Sequence, residues 1–110
     1  MSMDNKKLIE RLEICYKEKG LTRTAFAKDI GIKESTIRNW SRKDSIPSVA
    51  NIYEIAKYFG VPMEYLLGVE DSPIDDDEAA MILKMKKMPA ERKKHLLAIA
   101  DTFINLDKKD

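Results

Sequence analysis

Apolar residues recur every three or four positions through most of this 110-residue chain, the spacing that puts them on one side of an α-helix. Leu8, Ile9, Leu12, Cys15 and Tyr16 form one such stripe and predict a first helix over about 4–19. Ala25, Phe26, Ala27 and Ile30 mark a short second helix over 23–30, with the Thr22 hydroxyl placed to cap it. A turn through "GIK" leads to a third over 34–42. Ser48 caps a fourth over 49–59, whose stripe is Ile52, Ile55, Ala56 and Phe59, and "PMEYLL" makes a fifth. The pattern breaks at "VEDSPI", residues 69–74. Beyond it, "DDDEAAMILKMKK" sets acids in a first turn and lysines in a last one, as the helix dipole prefers. Pro89 then opens a final helix with Leu96, Ile99, Ala100, Phe103 and Ile104 on a broad apolar face.

The punctuation agrees with this division. Gly20, Gly31, Gly60 and Gly68 each follow an apolar-periodic stretch, where a left-handed C-terminal cap is wanted. Pro47, Pro62 and Pro89 stand at or just before the next one, where a missing N–H costs little. No stretch alternates with period two, so the expected fold is all-α. A five-helix domain occupies 1–68, a linker 69–74 and a C-terminal two-helix hairpin 75–110.

Composition narrows the classes of function. With 44% hydrophobic and 35% charged residues, the chain has the make-up of a helical globular protein. It has no apolar run near the ~18 residues a membrane span needs. The opening "MSMDNKKLIERLE" lacks a signal-peptide core, so a cytoplasmic location and no membrane association are expected. One cysteine and one histidine are too few for a structural zinc site. Cys15 is read as a helix-packing residue rather than a reactive thiol. The "DDDE" run lacks the glycine and alternating ligands of a calcium loop. His95, in "RKKHLL", has no nucleophile beside it, and no glycine-rich phosphate loop occurs. Neither an enzyme nor a cofactor is expected. Net charge is +1, but residues 1–45 hold 11 Lys/Arg against 7 Asp/Glu and the remainder 9 against 12. This basic first half is compatible with a polyanionic partner and equally with solvation.

Two short helices joined by a glycine-containing turn form a helix-turn-helix pattern, whose second helix can enter a DNA major groove. On the third predicted helix, Ile37 and Trp40 face a core that Phe26 and Ile30 share. Ser35, Arg38, Asn39 and Arg42 face away, with Lys33 and Glu34 at the leading end. Arg can pair with guanine, Asn with adenine and Ser with either. The same face also suits plain solvation, with Glu34 and Arg38 paired one turn apart.

Residues 21–68, "LTRTAFAKDIGIKESTIRNWSRKDSIPSVANIYEIAKYFGVPMEYLLG", resemble the phage repressor and Cro type of helix-turn-helix domain, the xenobiotic-response-element family of transcriptional regulators. The matching features are Leu21 and Thr22 before the second helix, Ala27 on it, and Gly31 with Ile32 at the turn. Ser35, Thr36, Ile37 and Trp40 match on the third, and Pro47 with Ser48 opens the fourth. With the first helix, the likeness covers about two thirds of the chain. It implies a DNA-binding regulator in which Lys33, Glu34, Ser35, Arg38 and Asn39 lie at the base edges. Thr22, Arg23 and Thr24, and after the third helix Arg42 and Lys43, would hold the backbone. Ser41 and Lys43 replace the acidic residue and the glycine common there, and Lys33 stands where a Ser or Thr cap is usual.

Glu34 is the awkward member, since a carboxylate is repelled by DNA unless it accepts from cytosine N4 or is neutralised by Arg38. Pairing with Arg38 is the expected arrangement. For the C-terminal helices, Ala79, Ile82, Leu83, Leu96, Ile99 and Phe103 need cover that a lone hairpin cannot give. Burial of Ile82, Leu83, Leu96, Ile99 and Phe103 in a homodimer is expected, with packing back onto the same chain as the alternative. Removing residues 74–110 is then expected to leave a folded monomer. The functional expectation is a repressor binding a palindromic operator as a dimer. The competing one is an adaptor whose hairpin captures a protein regulator.

Overall fold

A computed structural model describes residues 5–42 and 45–106. It contains α1 (Asn5–Glu18), α2 (Arg23–Ile30), α3 (Glu34–Ser41), α4 (Val49–Phe59), α5 (Met63–Leu67), α6 (Asp76–Lys86) and α7 (Ala90–Asn105). There is no strand among the described residues. Among the described residues no helix is long and apolar enough to cross a membrane.

The helix ends follow the side-chain chemistry. Thr22 accepts a hydrogen bond from the Ala25 N–H at 3.1 Å, and Ser48 accepts one from the Asn51 N–H at 3.0 Å, each satisfying a donor that the helix leaves open. Gly31 turns the chain out of α2 at φ 78°, a left-handed conformation that strains any residue with a Cβ. That turn lets both Gly31 and Ile32 donate to the Ala27 carbonyl and sets the angle at which α3 leaves α2.

The core lies where α1, α2, α3, α4 and α5 converge. Leu8, Leu12, Phe26, Ile37, Trp40, Ile55, Phe59, Tyr65 and Leu66 are almost wholly withdrawn from solvent. Phe26 is the hub, its ring 5.8 Å from that of Tyr16 and 5.2 Å from that of Phe59. Trp40 fixes α3 in this core, and cutting it to alanine should cost about 3–5 kcal/mol, measurable by urea unfolding. A loss under 1 kcal/mol would mean that α3 is anchored elsewhere.

Where the sequence suggests a separate hairpin, the structure differs. Ala79 and Leu83 of α6 belong to the main core, and α6 lies along α1. Asp75 and Glu78 cap its start reciprocally, the Glu78 N–H donating to Asp75 Oδ1 at 2.8 Å and the Asp75 N–H to Glu78 Oε1 at 3.1 Å. Polar contacts hold both ends. Tyr65 donates to Asp76 Oδ1 at 2.8 Å. Arg11 Nε lies 3.5 Å from that same oxygen, an ion-pair contact without hydrogen-bond geometry, while the guanidinium covers the Tyr65 ring at 4.5 Å. At the far end Lys84 pairs with the Glu18 carboxylate and Lys87 donates to the Glu18 carbonyl.

Leu83 is therefore no dimer-surface residue. It is sealed inside its own chain, where α6 lies against α1. Ile82, beside it, is half-buried. The 69–74 segment is a short connector within one packed unit, with Ile74 against the core and Ser72 donating to the Ile74 carbonyl at 2.6 Å. By contrast α7 has no buried residue, and Leu97, Ile99, Phe103, Ile104 and Leu106 are all more than half exposed.

Burial also tunes acids that never ionise at neutral pH. Desolvation, and secondarily the charge of Asp76, pushes the Cys15 thiol up to about 12. Desolvation and the hydrogen bond donated to Asp29 push the Tyr58 phenol up to about 12. An acid with a raised folded pKa keeps its proton in the native state while the unfolded chain has lost it. Stability should therefore fall as pH climbs from about 9 toward 12, and thermal midpoints at pH 8 and pH 10.5 check this. An unchanged midpoint would show that these groups are hydrated in solution.

Candidate nucleic-acid interface

One face of α3 is locked and the other is open. Ile37 and Trp40 are buried, at 1% and 2% exposure, so the helix cannot rotate about its axis. Their burial turns Ser35 and Asn39 outward, and Lys33, before the helix, and Arg42, after it, are exposed as well. Lys33 makes no side-chain cap bond, which leaves the leading N–H groups of α3 open toward solvent beside a cation. Helix N-termini and cations both attract phosphate. At ~12 Å across with its side chains, a helix with this free face fits the major groove.

Arg23 opens α2 directly below α3, with Thr22 and Thr24 exposed on either side. The Thr22 oxygen accepts the cap bond and its O–H stays available as a donor. Arg23 meets the leading end of α3 through Glu34, with Thr22 and Thr24 its exposed neighbours in the chain, and a backbone grip is expected there. Arg42 stands at the trailing end of α3. Lys43, expected to share that grip, lies outside the described residues.

The sharpest feature is the Glu34 carboxylate. Oε2 lies 3.3 Å from Arg38 Nη2, the one-turn pairing expected from the sequence. Oε1 accepts from Arg23 Nε at 3.0 Å, a link between the first residues of α2 and α3 that helix periodicity does not reveal. Periodicity shows which residues share a helix face, and the Arg23–Glu34 contact depends on the angle between two helices. The i, i+4 pair was legible and the cross-helix pair was not. All three side chains are between about 30% and 40% exposed, so these pairs are screened and worth under ~1 kcal/mol each to stability. Their effect is positional: the carboxylate holds one guanidinium beside the N-terminus of α2 and the other on the open face of α3.

The acidic run at the start of α6 serves the fold, with Asp75 and Glu78 capping and Asp76 tied to Tyr65 and Arg11. Among the described residues no cluster of three His, Cys, Asp or Glu is arranged to hold a metal. Neither a curated protein nor a solved structure gives a match. A helix-turn-helix family model matches residues 12–66, half of the chain, from the middle of α1 to the last but one residue of α5, with the α2–α3 pair inside it. With that match laid over a locked α2–α3 pair and an open polar face on α3, the chain belongs to the helix-turn-helix family of DNA-binding regulators.

Proposed function

We propose that the protein is a sequence-specific transcriptional regulator of the phage repressor type, a cytoplasmic repressor that binds a palindromic operator as a homodimer. The observation that carries this reading is the division of α3. Ile37 and Trp40 are fixed in the core while Lys33, Ser35 and Asn39 are exposed on one side, where Glu34 holds Arg38. Rigid placement matters because a side chain reads a base edge only if its backbone is held within a fraction of an ångström. Lys33, Ser35, Arg38 and Asn39 form the base-reading set, with Glu34 among them as the group that holds Arg38. Thr22, Arg23, Thr24, Arg42 and Lys43 form the phosphate set, and two copies place their α3 helices in half-sites roughly 34 Å apart.

Selection of bound fragments from random DNA tests the reading directly. A palindromic consensus supports it, and fully salt-sensitive binding without a consensus counts against it. Two substitutions divide the roles. Arg23→Ala should weaken binding to every duplex and flatten the salt dependence by a slope of about 1. Asn39→Ala should lose about 10–100-fold discrimination at one base position while leaving the others alone. Identical losses on all sequences for both variants would show that α3 does not read bases.

A further inference from the structure

We propose that α7 alone is the pairing element between two copies of this chain, and that the two α7 helices run antiparallel about an axis at Ala100. This rests on the homodimer reading above and replaces the hairpin interface, since α6 is already covered by α1. The first ground is area. Leu97, Ile99, Phe103, Ile104 and Leu106 are between 52% and 67% exposed, which leaves on the order of 500 Å² of apolar surface per copy without cover. Of these, Leu97, Phe103 and Ile104 share the side of Ala100, while Ile99 and Leu106 lie about 100° and 120° round the helix at its edge, so two copies together would bury less than the ~1,000 Å² of a stable specific interface. The dimer this supports is a micromolar one that two adjacent half-sites would reinforce.

The second ground is the residue pattern. The bulky doublets Leu96-Leu97 and Phe103-Ile104 lie at equal distances on either side of Ala100. In an antiparallel pair centred there, each doublet meets the other doublet of the second copy. The small alanine at the crossing lets the helices approach.

The third ground is charge. Arg92, Lys93 and Lys94 crowd the N-terminal part of α7. A parallel pair would stack all six cations at one end, adding to the aligned helix dipoles. Antiparallel pairing sets Lys93 about 20 Å from its counterpart by the helix rise, beyond the ~8–10 Å screening length at ordinary ionic strength.

The test uses the full chain without DNA, so its outcome is independent of whether an operator is found. Sedimentation equilibrium should give a species of twice 12.7 kDa at tens of micromolar. Phe103→Glu should raise the dimer Kd at least tenfold, and below the dimer Kd, where both chains are monomers, its thermal midpoint should match the parent's, because Phe103 is 67% exposed within the chain. Under mild oxidation Ala100→Cys should form a disulfide-linked dimer and Lys93→Cys should not, the native Cys15 being buried. A wild-type monomer at 100 µM or a dimer indifferent to Phe103→Glu would overturn the pairing. So would a Lys93→Cys chain that cross-links as readily as Ala100→Cys.

Discussion

A chain ending at Met88 should fold cooperatively with nearly the full stability of the parent, whereas one ending at Pro73, which the sequence alone suggests is a folded monomer, should be largely unfolded at 25 °C. The difference is α6. Leu83, at 2% exposure, and Ala79, at 0%, sit in the same core as Leu8, Leu12 and Cys15. Removing α6 therefore opens the α1 flank to water. A buried leucine cut to alanine costs about 2–5 kcal/mol by itself. Loss of the whole helix adds the newly wet surface of α1 and deprives Tyr65 of its Asp76 acceptor. Against a total of about 5–15 kcal/mol for a small domain, the shorter chain has little left. The longer one loses only α7, none of whose residues is buried. Urea unfolding followed by circular dichroism separates the two, with Leu83→Ala in the full chain as the intermediate case, expected to lose about 2–4 kcal/mol. Equal midpoints for the chains ending at Pro73 and Met88 would show that α6 does not stabilise the domain.

The same helix shows where local pattern stops being informative. The helix bounds read from periodicity and caps differ from the observed ones by at most a residue or two, and Thr22, Ser48 and Gly31 act as their chemistry requires. Those signals are local, because a cap bond spans three residues and a stripe spans one helix. The partner of an apolar face is not local. α6 precedes α7 in sequence and both have apolar faces, which suggests that they cover one another. Yet α6 is claimed by α1, about 70 residues earlier, with Glu18 and Arg11 meeting Lys84 and Asp76. The candidate interface divides in the same way. Outward Ser35 and Asn39 and buried Ile37 and Trp40 follow from counting around α3, while the contact of Arg23 with Glu34 required the packing angle of two helices.

That contact supports the prediction with the largest expected effect on binding. Glu34→Gln should tighten binding to all duplex DNA by about tenfold at low salt and steepen the salt dependence by about one unit of slope. Operator preference should fall at the same time. The sign follows from the geometry. In the free protein one carboxylate shares its charge between Arg23 at 3.0 Å and Arg38 at 3.3 Å, so part of the positive potential of both is cancelled at the surface where phosphate would approach. Gln keeps the shape and one acceptor but removes the charge. Arg23 is then freed toward the backbone, and the gain is blind to sequence. Arg38, no longer held on its helix face, samples more rotamers and reads a base less selectively. Stability should change by under ~1 kcal/mol, since the pairs are partly exposed. A double-mutant cycle identifies the beneficiary: in an Arg23→Ala background, Glu34→Gln should recover only part of its tightening, and the shortfall measures the coupling. A single altered base preference, with no general tightening, would instead mean that Glu34 accepts from a cytosine and that Arg23 and Arg38 serve only to hold it there.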